Sequence, residues 1–250
     1  GIATSYLQIF SEQLQIPVNQ LKVVQGDTDL VEGHGSVGSR SLFVGGNAIL
    51  RGIEDFLEEC KQLAASELEA SVEDLEYHQG NFQVKGTRVG IGIFDLCSRQ
   101  SDNSISVKRK KELTGRSWPN GCHVAEVEID AETGEVRLDR YVSVDDVGNT
   151  VNPMIVHGQV QGGIASGLGQ AVLERTEYDA SGQLLSGSYM DYALPRADDM
   201  PSLSGSLFEK APCLTNPLGA KGTGEIGAVA GPPAIVHAVI DALAEKGITQ

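Results

Sequence analysis

Val124-Ala-Glu-Val-Glu-Ile-Asp-Ala-Glu-Thr-Gly-Glu-Val-Arg-Leu-Asp-Arg-Tyr-Val-Ser-Val144, with Asn152-Pro153 soon after, contains both periodicities from which the chain is built. Ala125, Val127 and Ile129 alternate with Val124, Glu126 and Glu128, the period of two of a half-buried strand. Glu132-Thr133-Gly134 turns it into a second strand, on which Val136, Leu138, Val142 and Val144 are expected to share a face. Asn152 then caps a long helix with Pro153 at its first position.

Upstream, Ile2, Tyr6, Ile9, Phe10 and Leu14 fall at helical spacing before Pro17, and Leu21–Val24 reads as a short strand. The clearest helix starts near Gly46, with Ile49, Ile53, Phe56, Leu57, Cys60, Leu63 and Ala64 on one face. Leu75–His78 and Asn81–Lys85 flank a Gln79-Gly80 turn. Further strands are expected at Gly187–Ala193 and Leu203–Phe208, and a last helix from Pro232-Pro233 to about Ala244. Helices and strands mix without regular alternation, so the fold class is α+β, mixed sheets with packed helices. The polar stretch 101–120 is the candidate sub-division of the 1–250 unit.

The net charge of −15 argues against a nucleic-acid or anionic-membrane surface. The basic run Lys108–Lys111, followed by Glu112, reads as a solvated loop. No stretch is expected to be long and apolar enough to span a bilayer. Cys60, Cys97, Cys122 and Cys213 have no metal or disulfide spacing and read as reduced, mostly buried thiols of a cytoplasmic protein. No ligand spacing among the histidines suggests a protein-held metal. The opening Gly1-Ile-Ala-Thr-Ser-Tyr runs straight into a helix, as a chain cut from a larger protein would.

Three glycine-rich segments carry the candidate chemistry. In Asn216-Pro-Leu-Gly-Ala-Lys-Gly-Thr-Gly-Glu-Ile-Gly-Ala-Val-Ala-Gly-Pro-Pro233, Glu225 stands alone among Gly222, Gly224 and Gly227. A carboxylate in an apolar, glycine-walled site suits proton abstraction near neutral pH; an incidental glutamate in a surface loop is the plainer alternative. Gly158, Gly162, Gly163, Gly167 and Gly169 interrupt the helix after Pro153, and each lowers helix stability by about 1 kcal/mol relative to Ala. So many imply close helix packing or a flat ligand, with Gln159 able to donate and accept hydrogen bonds. Gly35-Ser-Val-Gly-Ser-Arg-Ser-Leu-Phe-Val-Gly-Gly46 places amides and hydroxyls at a helix start, suited to an anion. It matches neither the P-loop nor the dinucleotide fingerprint.

In this order, Val23-Val-Gln-Gly-Asp-Thr-Asp29, Gly38-Ser-Arg-Ser-Leu-Phe-Val-Gly-Gly46, Val151-Asn-Pro-Met154, Gly158-Gln-Val-Gln-Gly-Gly163 and Asn216 to Glu225 resemble the molybdenum hydroxylases of the xanthine dehydrogenase/aldehyde oxidase family. The resemblance is to the carboxyl-terminal part of the molybdopterin-binding large subunit. It implies that Glu225 is the catalytic base, helping insert a water-derived oxygen at a carbon of an aldehyde or N-heterocycle. It places Gly38, Ser39, Ser41, Gln159, Lys221, Gly222 and Gly224 against the cofactor, molybdopterin with Mo in its cytosine dinucleotide form. The metal itself is held by the pterin. The implied partners are the upstream half of the molybdenum subunit, an iron–sulfur subunit with [2Fe–2S] clusters, an FAD subunit and a small-molecule substrate. The chain departs from the family pattern in Ile2, where His is common, and Gln161, where many relatives carry His. The alternatives are a scaffold or assembly subunit, inactive without the upstream half, and a generic anion-binding domain.

Overall fold

The computed structural model describes residues 1–31, 33, 35–109 and 115–248, which form two compact units. Unit 1 comprises Gly1–Arg116 with Thr215–Leu218; unit 2 comprises Ser117–Leu214 with Gly219–Gln250. The chain therefore first passes between them inside the 101–120 stretch. Of the basic run, Arg109 pairs with Asp55, whose carboxyl is held below its ordinary pKa by that guanidinium, while Lys110, Lys111 and Glu112 lie outside the described residues.

Unit 1 contains α1 (Ile2–Leu14), a π-helical turn at Leu42–Gly46 leading into α2 (Asn47–Glu67), and the antiparallel sheet β1 (Leu75–His78), β2 (Asn81–Val84) and β3 (Gly90–Gly92). A short α3 (Ile93–Ser98) follows. The predicted face of α2 is the one it buries: Ile53, Cys60 and Ala64 join Leu75, Phe82 and Leu96 in the core, with Ile49, Phe56, Leu57 and Leu63 around them. Leu21–Val24 shows partial alternation in burial but pairs with no described strand.

Unit 2 is a mixed sheet of β4 (Asn120–Ile129), β5 (Val136–Asp146) and β6 (Leu203–Leu207), in which β5 pairs antiparallel with β4 and parallel with β6. The hairpin turn closes because Asp130 Oδ1 accepts the amides of Glu132 and Thr133 at 2.8 Å, with Gly134 at φ 76°. A register shift at Glu126/Val127 pairs Glu126 with Arg140 and Val127 with Leu138, leaving Asp139 over. That bulge reverses the alternation on β5. Leu138 is buried before it, and Tyr141, Ser143 and Asp145 are buried after it. Val142 and Val144 thus face the opposite way from Leu138, correcting the expectation of a shared face.

Two helices complete unit 2, α4 (Pro153–Leu168) and α5 (Ile226–Leu243). Asn152 caps α4, its Oδ1 accepting the Ile155 amide at 3.0 Å. α5 starts six residues before the predicted Pro232 and carries Pro232 and Pro233 inside it. The carbonyls that lose an amide partner belong to Ala228 and Val229, both exposed, where water replaces the missing donor. With the turn after it, Ile226–Lys246 is long and apolar enough in composition to cross a bilayer, contrary to the sequence expectation; its Gly227, Gly231 and Ile235 are buried in unit 2. Gly187–Ala193 is not a strand, because Ser188 Oγ bonds Asp191 Oδ2 at 2.6 Å and accepts the Met190 amide, folding the segment into turns. All four cysteines are free thiols; Cys60 and Cys213 are buried, but Cys97 is half-buried and Cys122 exposed.

The α4–α5 contact is glycine on glycine. A Cβ on Gly227 would lie 2.2 Å from the Val160 carbonyl oxygen, and one on Gly163 would lie 2.6 Å from the Ala228 amide nitrogen. One turn on, a Cβ on Gly167 would lie 3.0 Å from Gly231 Cα, so the helices run side by side in the same direction. Gly158 and Gly162 lie elsewhere on α4, where a Cβ would meet nothing within 4 Å.

Gly227→Ala is therefore expected to destabilise the 250-residue chain by about 1–3 kcal/mol through overpacking. Gly162→Ala should instead gain up to about 1 kcal/mol of helix propensity. Urea unfolding followed by circular dichroism separates the two; equal effects would contradict the packing described. A second expectation concerns pH. Burial pushes the Cys60 thiol and the Tyr77 and Tyr141 phenols up to about 12 from ordinary values of 9.0 and 10.0. The folded state keeps these protons while the unfolded chain releases them, so this contribution is fully present below about pH 9 and is lost progressively towards pH 12. The melting temperature should fall steadily above pH 9, and a flat profile to pH 11 would refute it.

Candidate functional site

Glu225 is the N-cap residue of α5, with φ −114° and ψ −1°, and its backbone carbonyl accepts the Val229 amide at 2.9 Å. Its carboxylate is exposed at a helix start, where the backbone dipole favours negative charge. The apolar enclosure expected from the sequence is thus not made by the described residues of its own unit.

The loop entering Glu225 is laid along the end of β5. The Lys221 amide donates to the Val147 carbonyl at 2.7 Å, and the Asn149 and Cys213 amides both donate to the Gly219 carbonyl, at 2.9 and 2.8 Å. Gly148 and Ala220 form a bridge between the two segments. This approach needs glycine on both sides: Gly148 (φ 66°) and Gly219 (φ 68°) have left-handed backbones, and a Cβ on Gly148 would lie 2.2 Å from the Gly219 oxygen. Lys221 Nζ donates to Asp146 Oδ2 at 2.6 Å in an ion pair whose side chains are 9% and 12% exposed. The buried Gly222 donates its amide to Ser117 Oγ at 3.3 Å, and Gly224 is exposed.

Gln159 is exposed on α4, beside Gly158, whose side of the helix carries no obstruction. The α4–α5 glycine crossing engages Val160 and Gly227, one residue after Gln159 and two after Glu225 in the chain. Unit 2 thus holds Gln159 on α4 and Lys221, Gly222, Gly224 and Glu225 in the loop that enters α5, the two helices being locked at that crossing. The other predicted residues, Gly38, Ser39 and Ser41, belong to unit 1. There Gly38 (φ 57°) and Ser39 (φ 54°) are consecutive left-handed residues, the centre of a tight turn closed by the Arg40 amide donating to the Val37 carbonyl at 3.2 Å. The half-buried Tyr6 hydroxyl donates to the Ser41 carbonyl at 2.8 Å, burial raising its pKa, and Ser36 and Ser41 hydroxyls bond each other.

Sequence reading missed three groups. Asn47, 1% exposed, donates to the Phe43 carbonyl and to Asn216 Oδ1 and accepts the Leu218 amide. Asp145, 1% exposed, bonds His123 Nε2 and Ser143 Oγ, both at 2.9 Å. The third is Asp146. The available signal was polarity out of place: an Asn at a helix start and two carboxylates ending a valine-rich strand.

The donor set is amides, hydroxyls, a carboxamide and glycine-lined open backbone. Among the described residues no group of three His, Cys, Asp or Glu side chains could hold a metal ion. Within unit 2, the exposed Gln159 carboxamide beside unobstructed Gly158 and Gly162 suits a flat, polar ligand that carries its own metal ligands.

Comparison with known proteins agrees with this chemistry. A family model described as molybdopterin cofactor-binding domain matches residues 1–201. The chain is 34% identical over 255 residues to the 6-hydroxypseudooxynicotine dehydrogenase complex subunit gamma of Paenarthrobacter nicotinovorans, covering 98% of this chain and 32% of that protein. It is 32% identical to the carbon monoxide dehydrogenase large chain of Hydrogenophaga pseudoflava, covering 100% of this chain and 32% of the other. Crystallographic quinoline 2-oxidoreductase from Pseudomonas putida 86 superposes with a TM-score of 0.85 at 34% identity, over 98% of this chain and 32% of that one. The chain spans about a third of the length of these relatives. The α+β class read from the sequence holds for these neighbours and for both units. With four-fifths of its length matched, the chain belongs to the molybdopterin cofactor-binding domain family of molybdenum-hydroxylase large subunits.

Proposed function

We propose that this chain forms the carboxyl-terminal third of the large subunit of a molybdenum-dependent hydroxylase, with Glu225 as the general base. The observation that carries this reading is Glu225 itself, an exposed carboxylate on a pinned glycine loop at a helix start, in the same unit as Gln159 on an open helix face. Bound molybdopterin, in its cytosine dinucleotide form, supplies the oxygen-transfer and two-electron chemistry. The protein supplies position and proton handling. The Ser39 and Ser41 hydroxyls and the amides of Gly38 and Ser39 bind the anionic side of the cofactor. The Gln159 carboxamide donates an N–H to it, and Gly222 and Gly224 leave space beside it. A Glu225 carboxylate oxygen accepts the proton released as a water-derived oxygen is committed to the substrate carbon.

The substrate class is an N-heterocycle or aldehyde, in line with the relatives named for 6-hydroxypseudooxynicotine and quinoline. Partner subunits carrying [2Fe–2S] clusters and FAD would take up the two electrons, and the upstream part of the large subunit would complete the pocket.

In the complete large subunit assembled with its partners, Glu225→Gln is expected to lower turnover by about 10²- to 10⁴-fold, the range for loss of a general base. Molybdenum content should stay constant. Assays with quinoline, nicotine, benzaldehyde and carbon monoxide against an artificial electron acceptor read this out. Unchanged turnover would assign the chain a scaffold role instead.

A further inference from the structure

The structure assigns Lys221 and Asp146 to positioning Glu225: the ion pair between them fixes the loop that carries the base. This rests on the reading of Glu225 as the base. Of the residues between Lys221 and Glu225, Gly222 and Gly224 have no side chain with which to hold a conformation, and both are free of Cβ restraint. The loop must therefore be held from outside, downstream by α5 and upstream by Lys221, with the Gly222 amide on Ser117 Oγ as a longer contact between them.

Lys221 is anchored twice, through its amide to Val147 and through Nζ to Asp146. Asp146 in turn uses both oxygens, Oδ2 for Lys221 and Oδ1 for the Gly148 amide at 2.9 Å. One carboxylate thus fastens the end of its own strand and the incoming loop together. Asp146 cannot easily move, because its neighbour Asp145, on the opposite face of β5, is bonded by His123 and Ser143, and His123 Nδ1 lies 2.9 Å from the Tyr141 hydroxyl. The pair is nearly buried, so either partner alone would leave an uncompensated charge inside the unit. A lysine placed to bind an anionic ligand directly would not be expected to close so short a contact, 2.6 Å, with a carboxylate of its own domain.

The test uses the full large subunit in its complex. Lys221→Met, Asp146→Asn, their double variant, Lys221→Arg and Glu225→Gln are compared by hydrogen exchange of the 219–226 amides, molybdenum content, and kcat and KM on the best substrate of the panel above. Asp146→Asn keeps an oxygen for the Gly148 amide, and the methionine keeps most of the lysine stem. Each single variant should raise exchange in 219–226 at least tenfold and lower kcat about tenfold, with KM and molybdenum content within twofold of the parent. The double variant should be no worse than the poorer single one, because the two residues act as one device. Lys221→Arg should recover most of the loss. Exchange in 219–226 that is unchanged in either single variant overturns the proposal. So does molybdenum lost with Lys221→Met while Asp146→Asn behaves as the parent, a result that would put Lys221 on the cofactor. Full turnover by Glu225→Gln would instead sink the base assignment, while exchange still decides whether the pair holds the loop. If Lys221→Met does not accumulate, Lys221→Gln carries the same comparison.

Discussion

Close approach of α4 and α5 is the constraint on which unit 2 depends. Without side chains at Gly163, Gly167, Gly227 and Gly231 the two backbones meet directly, and carbonyl and amide groups of one helix lie against Cα atoms of the other. Glycine in a helix interior lowers stability by about 1 kcal/mol each. That loss is offset here by dispersion contacts that only bare backbone permits, and by a core in which Val160, Ile164, Leu168 and Ile235 close over Leu138 and Tyr141. Backbone-to-backbone packing also has no rotamers to relax, so it fixes Gln159 and Glu225 more tightly than interdigitated side chains would.

The glycine-rich helix illustrates how far sequence reading reaches. Five glycines signalled either tight packing or a flat ligand, and the structure shows packing for three of them: Gly163 and Gly167 against α5 and Gly169 against Glu174 and Pro195, whereas Gly158 and Gly162 are open. The partition needs the partner helix, which no local pattern contains. α1, α2, both hairpins and the α4 cap were legible because each rests on local periodicity or on a side chain bonding its own neighbourhood. The start of α5 was not, because Pro232 and Pro233 carry the signature of a first turn and are tolerated inside the helix only where the freed carbonyls reach water.

At the candidate site, the residues proposed to face a ligand stood out in the sequence and the residues that hold their loops did not. Glu225 and Gln159 stood out by residue type among glycines. Asp146, Asn47 and the His123–Asp145 pair act through partners distant in sequence: Lys221 is 75 residues from Asp146, and Asn216 is 169 residues from Asn47. Such pairings are set by topology, and a single sequence shows them only as polar residues in apolar company.

The bulge opposite Glu126 and Val127 bears on how this unit could change its length over evolutionary time. Asp139 acts as a phase shifter: on its N-terminal side the strand shows Leu138 to the interior, and on its C-terminal side it shows Tyr141, Ser143 and Asp145. Deleting that one residue would leave Leu138 and Tyr141 two apart, the ordinary spacing of one face, so only the bulge would be lost. Deleting Val142 instead would exchange inside for outside beyond it, turning Val144 inward and expelling the carboxylate that His123 grips. One residue can therefore be lost at the bulge but not between Tyr141 and Asp145, while the turn at Asp130–Gly134 has no such parity to keep.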